Sequence, residues 1–296
     1  MSVPEYVLSC ESTVDLTAET LAELDVEYIP FHFFVDGREY SDDLGKTMPF
    51  AEFYQSMRDG AETKTAALGV GEYESYFRPF LEAGRDVLHV SLSSGLSGTY
   101  DSARTAAAAL AAEYPDRRIH VVDSLGASSG YGLIMATLSD KRAQGVGVDE
   151  LARWITAHRL EMHHEFFSTD LTFYVKGGRV TPTAGFVGNL LNICPLLDMD
   201  AEGHLIPREK IRSKRKVIKR VVEKSLGYAA GGAGYTGRFF ISESDCIEDA
   251  QAVASLLEET FPKMQGKPLI SSIGTTIGSH TGPGTVAVFF WGSRRH

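Results

Sequence analysis

Short apolar runs alternate with longer stretches of helical spacing through the first half of this chain. Residues 6–9, 26–35, 87–92 and 119–122 read as strands, several of them apolar on both faces. Residues 18–24, 50–57, 71–83, 101–114 and 130–144 read as helices. That rhythm implies βαβ crossovers and a mostly parallel sheet with flanking helices. The second half has a different texture. A helix is expected at 148–164, a strand at 173–175, a Gly/Pro-punctuated segment over 177–195 and a basic helix over 210–226. After a Gly-rich linker at 227–237 come a strand at 238–242, a helix at 247–260, and strands near 269–273 and 285–291. This half reads as α+β. The expectation is therefore an N-terminal α/β domain, residues 1–160, and a C-terminal α+β domain, residues 161–296. A length of 296 residues suits two domains of roughly 150 each.

Composition narrows the class. A hydrophobic content of 43% beside 23% charged residues is that of an ordinary soluble globular protein. No apolar run reaches the roughly 18 to 20 residues of a membrane span. Pro4 and Glu5 stand where a secretory leader would carry positive charge. Val7-Leu8-Ser9-Cys10 lacks the flanks of a lipid-attachment site and reads as part of the first strand. Cys10, Cys194 and Cys246 are odd in number and have no metal spacing, which points to reduced thiols in a cytoplasm. A net charge of -10 argues against general nucleic-acid binding. Against that acidic background, Arg208, Lys210, Arg212, Lys214, Arg215, Lys216, Lys219 and Arg220 crowd together. Such a run is either a solvated face or a docking surface for an acidic or phosphate-handling partner.

Four stretches carry candidate chemistry. In Ser93-Ser94-Gly95-Leu96-Ser97-Gly98-Thr99-Tyr100, a strand leads through a Ser/Gly turn into an Ala-rich helix. Such a turn can aim hydroxyls and backbone N–H groups at a carboxylate or phosphate, or can simply cap the helix. Gly126-Ala127-Ser128-Ser129-Gly130 matches the nucleophile-elbow pattern, and Asp198 and His280 follow in an order that permits a triad. Against it, Asp123-Ser124-Leu125 separates the pattern from its strand, and the competing reading is a helix start with small residues for close packing. His158, His163 and His164 lie on or beside one expected helix at offsets that do not put two metal ligands on one face. His280, in Gly278-Ser279-His280-Thr281-Gly282-Pro283-Gly284, occupies a loop whose glycines and proline serve the turn but whose imidazole does not.

Together with Asp123-Ser124-x-x-x-Ser128-x-Gly130-x-Gly132 and Tyr174-Val175-Lys176-Gly177-Gly178-Arg179-Val180, these motifs resemble the DegV family. Those are bacterial fatty-acid-binding proteins of the FakB type, which serve a fatty acid kinase. The resemblance runs from Cys10-Glu11-Ser12-Thr13-Val14-Asp15-Leu16 to Phe289, with the motifs in the family's order. It implies a two-domain fold holding one long-chain fatty acid in a closed apolar tunnel between the lobes, with no cofactor, no metal and no catalytic residue of its own. Burying each methylene contributes about 0.8 kcal/mol, while the carboxylate needs dedicated partners. By motif position those partners are Thr65, Ser93 or Ser94, and His280. The resemblance further implies that the kinase phosphorylates the bound carboxylate from ATP, giving an acyl phosphate for phospholipid synthesis. Arg179 and Arg212 are expected to orient the kinase or to offset charge on the phosphoryl group. Membrane contact, if any, would be transient and at the surface.

Two departures from the family stand out. Thr65-Ala66-Ala67-Leu68 replaces Thr-Ser-Gln-Pro, which removes one hydroxyl beside the carboxylate. Cys10-Glu11-Ser12-Thr13 replaces Thr-Asp-Ser-Thr, which lengthens the acid by one methylene. Two other functions fit the same residues: a lipid esterase or thioesterase using Ser128, and a carrier for another anionic amphiphile.

Overall fold

The computed structural model of the protein describes residues 6–181 and 193–296; residues 1–5 and 182–192, the middle of the Gly/Pro-punctuated segment, lie outside the described residues. The first half runs β1 (Tyr6–Glu11), α1 (Ala18–Glu23), β2 (Val26–Ile29), β3 (His32–Val35), β4 (Arg38–Ser41), α2 (Phe50–Arg58), β5 (Thr63–Ala66), α3 (Val70–Glu82), β6 (Asp86–Ser91), α4 (Thr99–Glu113), β7 (Ile119–Asp123), α5 (Ser129–Ala143) and α6 (Val148–His158). The second runs β8 (Met162–Ser168), α7 (Thr172–Lys176), β9 (Ile193–Met199), β10 (Leu205–Arg212), α8 (Lys214–Tyr228), β11 (Phe240–Glu243), α9 (Ile247–Thr260), β12 (Leu269–Ser272), α10 (Thr275–Thr281) and β13 (Thr285–Trp291).

Three sheets form among the described residues. The order β2-β1-β6-β7 is wholly parallel, as the alternation of strands and helices implies. The order β10-β9-β8-β13-β11-β12 is antiparallel except for its last pair. The third sheet, β4-β3-β5, is small and antiparallel. The wholly parallel sheet thus lies in the first half and the α+β region in the second.

The differences from the sequence reading have local causes. Residues 26–35 form two strands in two sheets, because Pro30 has no N–H with which to continue the ladder. Asp36 and Gly37, both at positive φ, make the hairpin between β3 and β4. The helix expected over 148–164 stops at His158, and Met162–Ser168 is a fully buried strand whose polar residues hid it. The strand expected at 173–175 is the short helix α7, started by the Asp170 carboxylate accepting the Thr172 N–H at 2.8 Å. The basic segment is divided: Lys210 and Arg212 are on β10, and α8 begins at Lys214 after Ser213 at φ 80°.

Helix α5 is the centre of the molecule. It packs on β1 of the parallel sheet and on β8, β11 and β13 of the mixed sheet. Nine of its residues are buried, so it shows no amphipathic stripe. A side chain at Gly130 would strike His164 and Phe289, and one at Gly132 would meet Leu16 and the Val14 carbonyl at 3.0 Å. The glycines at 130 and 132 therefore serve close packing between two sheets.

Among the described residues, no helix is long and apolar enough to cross a membrane, and no cluster of His, Cys, Asp and Glu could hold a metal ion. All three cysteines are free, and Cys10 lies buried in β1.

Candidate functional site

The small sheet and α10 create the site. Helix α10 belongs to the second half by sequence but packs on α2, β3 and β5 of the first. This brings Thr65, on β5 in register with Phe33 of β3, against His280 on α10. Thr65 Oγ1 and His280 Nε2 lie 2.8 Å apart. The imidazole is thus on a helix that ends at Gly282, φ 65°, rather than in the expected loop.

His280 Nδ1 is buried and has no hydrogen-bond partner. A proton there would be an unsatisfied buried donor, so the lower-energy tautomer carries it on Nε2 and donates to Thr65. The Thr65 hydroxyl proton is then available to an acceptor in the cavity. Burial, with a smaller contribution from the Arg179 guanidinium, pushes the His280 pKa down to about 4, so the ring is neutral at physiological pH. A side chain at Gly177 would collide with Nδ1, which explains the glycine beside the ring.

Arg179 completes the group. Its guanidinium donates to the carbonyls of Gly177 at 2.5 Å and Leu96 at 3.2 Å. Among the described residues no carboxylate pairs with it. Desolvation lowers its pKa, yet an arginine remains charged. A half-buried cation held by carbonyls, beside a neutral histidine and a free hydroxyl proton, is an incomplete anion site.

Thr65, His280 and Arg179 line a cavity of about 100 Å³, with Ser97 and Thr276 also in its wall. A second cavity of about 50 Å³ is lined by Phe166, Met199, Ala287, Phe289, Ser128 and His164. The two share Ala127, Tyr174, Leu205, Ile277 and Thr281, so one wall separates a polar end from an apolar one. Each volume is below the roughly 300 Å³ of a small ligand pocket. Among the described residues these are two small neighbouring cavities, not the continuous tunnel that was expected.

The serine turn is placed differently. Ser93 Oγ donates to the Gly203 carbonyl at 2.9 Å and accepts from the Gly95 N–H at 3.1 Å. Ser94 Oγ donates to Asp123 at 2.6 Å, and its N–H points to the same carboxylate. The N–H groups of Leu96 and Ser97 both point to the Ser93 carbonyl. The turn thus spends its donors on itself, on Asp123 and on the β9–β10 hairpin. Neither Ser93 nor Ser94 lines the cavity with Thr65 and His280; Ser97 does.

Ser128, at φ 55°, donates to the buried Asp15 carboxylate and lies 3.0 Å from Ser242 Oγ. His280 is engaged with Thr65, and Asp198 with Arg208 at 2.7 Å, so the structure does not assemble them with Ser128. The imidazole nearest this turn, His164, accepts the Ala127 N–H through Nε2 at 3.1 Å, and its pKa is held far below the usual value by burial. Arg212 is exposed at the end of β10. Arg208, Lys214 and Arg220 are paired with acids, whereas Arg212, Arg215, Lys216 and Lys219 make no salt bridge among the described residues.

The DegV family model matches residues 8–292. The chain belongs to the DegV family. It is 31% identical over 291 residues to a DegV domain-containing protein of Clostridium perfringens, covering 98% of this chain and 99% of that one. It is 30% identical over 283 residues to a protein of Thermotoga maritima named fatty acid-binding protein, covering 93% and 94% respectively. A solved DegV family structure from Thermus thermophilus, described as showing fatty acid binding, superposes with a TM-score of 0.85 at 26% identity, over 98% of this chain and 100% of that one.

Proposed function

We propose that this DegV protein binds one long-chain fatty acid and presents its carboxylate to a separate fatty acid kinase for conversion to an acyl phosphate used in phospholipid synthesis. The observation that carries the reading is the Arg179 guanidinium, which has no carboxylate partner among the described residues, beside the Thr65–His280 pair at the polar end of an apolar interior. The fatty-acid names of the relatives support it. Arg179 and the Thr65 hydroxyl would hold the carboxylate, and the chain would run past Ile277 and Leu205 toward Met199 and Phe289. Ser93 or Ser94 would join only by releasing Gly203 or Asp123. The protein acts as a binding subunit in the cytoplasm, without a cofactor of its own.

Native mass spectrometry of the purified protein, followed by solvent extraction, tests this. One non-covalent fatty acid per chain is expected; another lipid class would replace the reading with a different amphiphile. The protein should also stay unlabelled by a fluorophosphonate probe, since no described imidazole activates Ser128. Stoichiometric labelling there, with ester turnover lost in Ser128→Ala, would make it an esterase.

The kinase would dock on Arg212, Arg215, Lys216 and Lys219, which make no salt bridge among the described residues. Arg212→Ala is expected to slow acyl-phosphate formation several-fold in a reconstituted reaction while the lipid stays bound. Added salt should reproduce much of that loss, because exposed charge is screened within about 8 to 10 Å. Equal rates for variant and wild type at every salt concentration would move the docking surface elsewhere.

A further inference from the structure

Helix α10 has only seven residues and would not persist by itself, so something must hold it where His280 meets Thr65. Three side chains from the first half do. Asp15 Oδ1 accepts the Gly274 N–H at 2.8 Å, and Asp42 Oδ2 accepts the Thr276 N–H at 3.2 Å. Tyr54 donates its hydroxyl to the Ile273 carbonyl at 2.8 Å. Both aspartates are almost wholly buried, Asp15 at 3% exposure and Asp42 at 1%. Asp15 has a second tie: its other oxygen accepts the hydroxyl of Ser128, which lines the apolar cavity. One carboxylate therefore joins the start of the helix bearing His280 to the wall of the tail end.

Side chains one turn along α10 carry the consequence into the cavities. Ile277 and Thr281 line both, and His280 lines the polar one. Gly274 and Gly278 permit the close approach, since a side chain at Gly274 would meet Asp15 at 2.9 Å and one at Gly278 would meet the Tyr54 hydroxyl at 2.6 Å. We propose that Asp15 and Asp42 are the positioning residues of the ligand site: they hold the first turn of α10 and so set where His280, Ile277 and Thr281 stand. The proposal rests on the fatty-acid reading for its ligand, but not for its geometry.

Asparagine tests it. In Asp15→Asn one acceptor becomes an NH2 donor: facing Gly274 it sets donor against donor, and facing Ser128 it reverses that bond, so the carboxylate's acceptance of both groups is lost. Two quantities are read on delipidated full-length protein: the Kd of a fluorescent long-chain fatty acid, and the NMR signals of the His280 ring. Asp15→Asn is expected to raise Kd at least tenfold and to move the His280 signals, and Asp42→Asn to do both to a smaller degree. Asp101→Asn, on an exposed position of α4, serves as the control. Unmoved His280 signals, or a Kd within twofold of wild type in both variants, would overturn the proposal. If Asp15→Asn fails to fold, Asp42→Asn decides by the same two readings. If wild-type protein does not bind the fatty acid at all, the functional reading falls while the His280 signals still decide the positioning.

Discussion

Arg179→Met is expected to weaken fatty-acid binding by about 10- to 150-fold, the range for losing a hydrogen bond to a charged group, about 1.5 to 3 kcal/mol. Methionine keeps much of the aliphatic stem that packs in the cavity wall, so the change isolates the guanidinium. The large effect follows from the surroundings. His280 is neutral because burial and Arg179 hold its pKa near 4, and Thr65 brings a hydroxyl but no charge. Among the described residues, Arg179 is the charged group in this cavity that can offset a carboxylate. The pH dependence separates the two candidates for that role. If Arg179 supplies the charge, affinity should stay flat from about pH 6 to pH 8, since neither group titrates there. A fall in affinity through pH 6 to 7.5 would place the charge on a protonated His280 and overturn the assignment. Titration of a fluorescent fatty acid into wild type and Arg179→Met across that range gives both results.

The second large effect concerns stability. Glu11→Gln is expected to destabilise the fold by about 3 to 5 kcal/mol, the cost of breaking a buried charged pair by removing one partner. Glu11 and His89 are fully buried and lie 3.0 Å apart. Glu11 Oε1 also accepts the hydroxyls of Tyr73 at 2.7 Å and Ser91 at 2.8 Å, and Oε2 accepts the Leu92 N–H at 3.0 Å. In one orientation a glutamine sets its NH2 against the Leu92 N–H, and in the other it requires Tyr73, Ser91 and His89 to reverse or give up their bonds. Desolvation is the largest single influence on the Glu11 pKa and raises it. The His89 charge and the hydrogen bonds from His89, Tyr73 and Ser91 together outweigh it and hold the pKa below 4.5. A depressed carboxyl pKa contributes stability that is present above the unfolded-state value and lost as pH falls through the folded one. Wild type should therefore lose stability below about pH 4.5, and Glu11→Gln should lose less over that interval. The raised pKa values of Asp15 and Asp42, caused chiefly by burial, act in the opposite sense and favour the fold at low pH. Urea midpoints at several pH values measure both effects. A midpoint for Glu11→Gln within a few tenths of a molar of wild type would show that the pair is dispensable.

The longer acid of the opening motif, Glu11, is the centre of this network. The Glu11 carboxylate reaches the Leu92 N–H at the start of the serine turn. The turn was legible as a strand-to-helix connection because serine and glycine satisfy backbone groups cheaply. Its use was not legible. Whether its donors face a ligand or the protein depends on Gly203 and Asp123, which lie 110 and 29 residues away from the serines they hold.

Sequence by itself determined the parallel half, where apolar strands and amphipathic helices alternate at periods that only one layered arrangement buries. The family resemblance pointed to Thr65 and His280 together with Ser93 or Ser94, and to Arg179 for meeting the kinase and not for lining this cavity. Helix α5 was legible as a helix but not as the piece between two sheets, because burial on all sides removes the periodicity that reports a face. Strand β8 was hidden for a related reason: His163, His164 and Glu165 are polar residues buried among partners contributed by other elements. Only the tertiary structure decided the site. Thr65 and His280 are 215 residues apart, and no local pattern encodes that Asp15 and Asp42 fix the start of α10 against the small sheet. Periodicity reports which face of an element is buried; which element covers it is set by long-range packing of the whole chain.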